Sequence, residues 1–319
     1  MRNLFNISVY HMQEEIDHAC SVVGSDESYV DGLELLTGYG RVDARLAKYV
    51  TSVHLPFAID WYGPATGTRP VVPGLEPDDI RFRHYGLDRK DIVDSLRLAL
   101  RVADPMEPMY GVLHACSANI NELLSTTYSD SDEKVVSTLI SILNEVVSEF
   151  PDGEPPFTIA LENTWWPGMR LLDGSLHDML ESELEFDDWG ICLDTGHILF
   201  SSGRSTDENA ALTILNECAD SYPDEFYDRL IAMHLHVNTS ARLIDATADP
   251  MGHELPLDER LSKAYSRITM IDQHRPFTNP DVKDYVERMG PEFVVHEMSS
   301  PTIPEQIRDH MCQASLLVE

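Results

Sequence analysis

The sequence predicts an α/β fold: one (β/α)8 barrel, a TIM barrel, spanning residues 1–319. Eight short apolar runs alternate with amphipathic helical stretches, the order expected of repeated β-α units on a parallel sheet. No linker-like break in composition divides the chain. Six successive runs end in His, Asp or Glu, and in such barrels the strand ends form the active face. A doubly wound open sheet is the competing architecture, but no GxGxxG or Walker loop stands at a strand end to support it.

Taken in order, strand one is read at residues 4–10 and a helix near 13–23. Strand two covers 29–37, with a short helix around 43–50, and strand three covers 52–57. A Gly- and Pro-rich loop then runs from 58 to 86, long enough to expect a lid or a substrate wall. A helix at 88–103 leads to strand four at 109–116. In the helix at 132–150, Val135, Val136, Leu139, Ile140, Leu143, Val146 and Val147 recur at helical spacing, so that face packs on a sheet. Strand five is 157–163 with a helix at 175–185, and strand six is 189–194 with a helix at 206–222. Strand seven is 230–237, followed by a polar loop and helical stretches between 257 and 289. Strand eight is 293–298, and a last helix opens after Pro301 and Pro304.

A hydrophobic content of 43% beside 24% charged residues suits a globular chain with a large core. No apolar run approaches a membrane span, and Met1-Arg2-Asn3-Leu4-Phe5-Asn6-Ile7 lacks a signal peptide's apolar segment, so a cytoplasmic location is expected. Cys20, Cys116, Cys192, Cys218 and Cys312 lie far apart without CxxC pairing, which suggests neither a disulfide framework nor a thiolate zinc site. The formal charge is −32, from 55 acidic against 23 basic residues. That balance argues against a nucleic-acid partner, since phosphate backbones draw on clustered positive charge. It also suits an acidic or salty host proteome and then carries no functional message.

The residues expected to carry chemistry sit at the strand ends. Gly190-Ile191-Cys192-Leu193-Asp194-Thr195-Gly196-His197 runs an apolar strand into a carboxylate and then an imidazole, with Gly196 expected to let the chain turn sharply and His197 expected on that turn. Strand three supplies His54, strand four His114, strand five Glu162 and strand eight Glu297. On strand seven His234 and His236 share a face, because side chains alternate along a strand. His253 in the following loop is a further candidate. Each has an ordinary explanation as a hydrogen-bonded residue or, for Asp194, a helix cap. Together they would be costly to bury without a cation. Mixed imidazole and carboxylate donors suit a divalent ion such as Zn²⁺ or Mn²⁺.

On these residues the chain resembles the xylose isomerase-like TIM barrels, which include sugar isomerases, ketose epimerases and endonuclease IV (AP endonuclease family 2). The resemblance implies that Glu162, Asp194, His236 and Glu297 bind one metal ion. It also implies that Glu162 and Glu297 act as acid and base at the carbon next to a sugar carbonyl. His197 and Arg242 would contact substrate, Arg242 standing six residues after His236 as the epimerase pattern has it. Trp165 and Trp166 would wall the sugar. The leading expectation is therefore a metal-dependent isomerase or epimerase acting on a sugar or sugar phosphate, with assembly into a homo-oligomer left open.

The segment Glu162-Asn163-Thr164-Trp165-Trp166 departs from the epimerase pattern, lacking its arginine and second glutamate, and is closer to the Glu-Asn-Thr run of endonuclease IV. That likeness implies a phosphodiesterase with up to three ions per chain, adding His54, His114, His197, His253 and one of His234 or His236 as ligands. The endonucleases carry an Asp two residues before the loop histidine, where Met251 precedes His253, and keep an Asp where strand seven of this chain continues Val237-Asn238-Thr239. A third expectation is a barrel that keeps the metal pocket without turnover.

Overall fold

The computed structural model describes residues 1–25 and 27–318. Eight parallel strands close into a barrel in sequence order: β1 (Arg2–Ser8), β2 (Gly32–Leu36), β3 (Val50–His54), β4 (Tyr110–His114), β5 (Thr158–Glu162), β6 (Trp189–Asp194), β7 (Leu230–His234) and β8 (Phe293–His296). Closure is made by β8 on β1, with Arg2 opposite Phe293 and Phe5 opposite His296.

Alternation along the strands places the chemistry. Leu4, Tyr110, Val112, Ala160, Cys192, Ala232, Phe293 and Val295 form one fully buried cluster, an apolar plug inside the barrel. Two residues further along the same strands, and so on the same inward face, stand Asn6, His114, Glu162, Asp194, His234 and Glu297. The other face of each strand packs on helices. The helix Asp132–Val147 buries all seven residues of the apolar stripe seen in the sequence.

Three expectations change. Strand β2 begins at Gly32 rather than 29, because Tyr29 takes a left-handed φ of 56° that no extended strand accommodates. The stretch 58–86 is not a bare loop, for it folds the helices Tyr62–Thr66 and Pro77–His84. Pro77 opens the second of these helices, at a position whose N–H has no partner anyway. His197 lies not on a turn but in the helix Thr195–Ser202, which starts directly off β6 with the Asp194 carboxylate accepting from His197 N at 2.7 Å.

The final helix, Ile303–Val318, ties the last strands together through Gln313. Its amide donates to Leu235 O at 2.7 Å and meets His296 Nδ1 at 2.7 Å, while its oxygen accepts from Phe277 N at 2.7 Å. One buried side chain thus holds the exits of β7 and β8 and the connection between them. Replacing it by leucine strands the Leu235 carbonyl and the Phe277 amide, so Gln313→Leu is expected to cost about 1–3 kcal/mol for each group left unpaired. Urea unfolding of the two proteins measures that difference.

Candidate metal centre

Local hydrogen bonds fix each candidate side chain before any ion is considered. Asn163, next to Glu162, clasps the backbone of Asp194 from both sides, donating to its carbonyl at 2.9 Å and accepting from its N–H at 2.7 Å. The Asn163 carbonyl accepts from His197 Nδ1 at 2.8 Å, which sets that ring's tautomer and leaves Nε2 facing the cavity. Thr195 Oγ1 donates to His236 O at 2.7 Å and accepts from His236 N at 3.1 Å, docking the residues past β7 onto β6. Gly196 is needed for space rather than for a turn: its φ is not positive, and a Cβ there would strike the His236 ring.

The groups converge. Glu162, 1% exposed, lies within 3.0 Å of His114 Nε2, 3.2 Å of His54 Nε2, 3.4 Å of His234 Nδ1 and 3.5 Å of His197 Nδ1. Asp194 reaches His236 Nε2 at 3.0 Å. His234 Nε2 is 3.0 Å from Glu34, and its Nδ1 is 3.6 Å from Glu297. His274 Nε2 bridges Asp272 at 3.2 Å and Glu297 at 3.4 Å.

Among the described residues four sets offer donor atoms within 4.8 Å of one another: Asp194, His197, His236 and His274; His54, His114 and Glu162; Glu34, His234 and Glu297; and Glu162, Asp194 and His234, which links the other three. His236 Nδ1 is buried without a hydrogen-bond partner, while His234 Nε2 and Glu34 Oε1, and His274 Nε2 and Asp272 Oδ1, face each other as ion pairs without an aligned hydrogen bond. A divalent ion would satisfy such donors, so the residue set fits one.

The charges are arranged as imidazolium and carboxylate neighbours. Burial alone would depress the His197 imidazole, but Asp194, Asp272 and Glu162 outweigh it and push its pKa up to about 10. Burial would raise the Glu162 carboxyl, yet His114 and His234 hold it well below the ordinary glutamate range. His234 is driven well above the usual histidine value against its burial, with Cys192, Glu34, Glu297 and Glu162 around it. His114 goes the other way, because its desolvation exceeds the pull of Glu162.

Above these groups opens a cavity of about 950 Å³. Trp165 and Trp166, both buried, form one wall, with Trp165 edge-on to His197 at 4.7 Å between centroids. Phe57 stacks on His114 at 4.3 Å. The stretch expected to be a lid or wall forms a wall through Ile59, Val72 and Arg83, and Trp61 Nε1 pins it to Cys116 O at 2.6 Å. The helix Leu257–Ile271 crosses the mouth and joins the helix Ile120–Ser125, where Arg267 donates to Leu123 O at 2.6 Å and Asp249 N donates to Leu124 O at 2.8 Å.

Of the residues singled out from sequence, His54, His114, Glu162, Asp194, His197, His234, His236 and Glu297 are brought together. Two are not. His253 is exposed and turns its Nδ1 to Pro250 O at 2.9 Å, and Arg242 is exposed and lines no part of the cavity. Three were missed: Glu34, Asp272 and His274. Asp272-Gln273-His274 has the spacing, an Asp two residues before a loop histidine, that the sequence had lacked at Met251 and His253. Glu34 interrupts the apolar run Gly32-Leu33-Glu34-Leu35-Leu36, a signal of the same kind as the strand ends.

No protein-family model and no curated protein matches the sequence. Solved structures do match in fold. A D-tagatose 3-epimerase-like protein aligns at 16% identity over 98% of this chain and 96% of its own, with a TM-score of 0.55. A putative xylose isomerase from Rhodospirillum rubrum aligns at 12% identity over 99% and 98%, with a TM-score of 0.57. Endonuclease IV from Thermus thermophilus aligns at 13% identity over 99% of both chains, with a TM-score of 0.51. At these identities what is shared is the fold, a single (β/α)8 barrel.

The raised His197 pKa has a definite sign. A group lifted from 6.5 to about 10 on folding contributes stability that is complete below about pH 6.5 and is lost as pH rises through about 10. The metal-free protein is therefore expected to lose stability from pH 7 to pH 10, and His197→Gln to make that decline shallower. Denaturant unfolding across the range measures both slopes; equal slopes would refute the assignment.

Proposed function

We propose that this chain is a metal-dependent phosphoester hydrolase that holds two or three divalent ions, zinc or manganese, and takes a small molecule into its roofed cavity. The observation that carries this reading is that the donor atoms fall into three sets with no residue in common, linked by a fourth made of Glu162, Asp194 and His234, rather than into a single set. A single ion held by Glu162, Asp194, His236 and Glu297 would leave His54, His114, His197 and His274 without a cation to serve. The pair Asp272 and His274 completes the endonuclease-like pattern that the sequence suggested.

Bound ions would supply Lewis acidity toward a phosphoryl oxygen and a water of lowered pKa. The chain's own residues do the rest. Asp194, His197, His236 and His274 form the most numerous donor set, and Glu162 stands between that set and the one at His54 and His114. Trp165, Trp166 and Phe57 keep water from one side of the cavity, which strengthens every electrostatic contact inside it. The helices across the mouth and the net charge of −32 oppose a DNA duplex, so the substrate is a small ester.

A second reading keeps the isomerase or epimerase expectation. It is favoured by one contact pattern, since Glu162 and Glu297 both approach His234 Nδ1, at 3.4 and 3.6 Å. Two carboxylates around one position suit removal and return of a proton beside a sugar carbonyl.

Metal analysis separates the two. Hydrolase chemistry predicts two or three ions per chain, and isomerase chemistry predicts one. With bis(p-nitrophenyl) phosphate and p-nitrophenyl phosphate as probes, chelation is expected to lower turnover by about 10²-fold or more. Deuterium uptake from solvent into ketoses, with no phosphoester cleavage, would select the second reading. Asp194→Ala is expected to lose metal while keeping its circular dichroism, because it stands at the rim and the apolar plug below it is untouched.

A further inference from the structure

One arginine lines the cavity. Among the described residues that line it, Arg83 is the only lysine or arginine. It sits in the last turn of the helix Pro77–His84, on the wall made by the stretch after β3. Its Nε is buried without a hydrogen-bond partner, and no carboxylate among the described residues pairs with its guanidinium. The neighbouring acid is already engaged, for Asp60 receives Arg69 Nη2 at 2.9 Å. A guanidinium presents five donors in a planar fork, and in Arg83, which is half-buried, the Nε is enclosed and no carboxylate among the described residues takes the rest of the fork.

Much of the lining that Arg83 shares is apolar. Trp165, Trp166 and Ile59 belong to one apolar cluster, and Val72, Ile120 and Leu123 to another beside it. The strand-end carboxylates and imidazoles lie at the floor, and Arg83 belongs to the stretch after β3 that lines one side, so an occupant can meet the floor and the guanidinium through different groups.

We propose that Arg83 is an anion-recognition residue, and that the molecule this cavity takes has a bulky apolar or planar body and carries a carboxylate, sulfonate or phosphate on it, apart from the group that meets the floor. The proposal rests on the reading that this cavity is the substrate site, but not on the reaction carried out there. The net charge of −32 repels anions from most of the surface, which makes a local guanidinium the feature that retains one. The fork geometry favours planar, bidentate groups over a point charge.

The test uses the chelated, metal-free full chain, so that it does not depend on turnover. Its probes are 8-anilinonaphthalene-1-sulfonate, a planar apolar anion, and N-phenyl-1-naphthylamine, its uncharged counterpart, both followed by fluorescence. Arg83→Gln is expected to weaken sulfonate binding by about tenfold or more and to leave the amine unchanged, since a charged hydrogen bond is lost and the apolar walls are not. Arg83→Lys is expected to recover part of the loss. Equal sulfonate affinity in the native protein and Arg83→Gln overturns the proposal, as does parallel loss of both probes, and so does failure of the native protein to bind the sulfonate at all. If the hydrolase reading fails while the sulfonate result holds, the anion site stands and only the chemistry at the floor is reassigned.

Discussion

The structure depends on a layer of buried charge set on an apolar plug inside a closed sheet. Glu34, Glu162, Asp194, Asp272 and Glu297 interleave with His54, His114, His197, His234, His236 and His274 so that each carboxylate lies near an imidazole. Each ion taken alone would cost several kcal/mol to bury, and removing one member leaves its neighbour uncompensated. The barrel tolerates the layer because strand pairing satisfies the backbone all round the circle, so the polar side chains need only satisfy one another.

What surrounds that layer serves to aim it. Asn163 and Thr195 bind backbone on neighbouring strands and so hold Asp194 and His236 in mutual register. Gln313 does the same from outside the barrel, reaching the residue between His234 and His236 and the one before Glu297. Gly196 keeps a gap that the His236 ring fills. These residues touch no cavity surface, yet a small shift in any of them would misplace several donors together.

The connections above the rim decide what can enter. The helices Leu257–Ile271 and Ile120–Ser125 meet across the mouth, and Trp165, Trp166 and Phe57 line the space beneath them. Strand-end chemistry of this type is compatible with several reactions and partners, while a mostly apolar chamber with one arginine in its lining restricts what can enter.

The barrel and most of its centre were legible because both obey a short period. Alternation of apolar and polar side chains along each strand, ended by His54, His114, Glu162, Asp194 and His234, is a local property of the chain, and so is the stripe from Val135 to Val147. The helix Thr195–Ser202 escaped notice because it begins on the last strand residue, which serves as cap and candidate ligand at once. His253 and His274 occupy the same connection between β7 and β8, and the one local difference is the residue two before each, Asp272 against Met251. The sequence by itself determined the strand-borne donors and the apolar floor, since these follow from the direction each side chain takes off a paired backbone. Only the tertiary structure decided that His274 and Asp272 join them while His253 and Arg242 stay outside, because that depends on the helix Leu257–Ile271 crossing the mouth and bringing the chain back down to the rim.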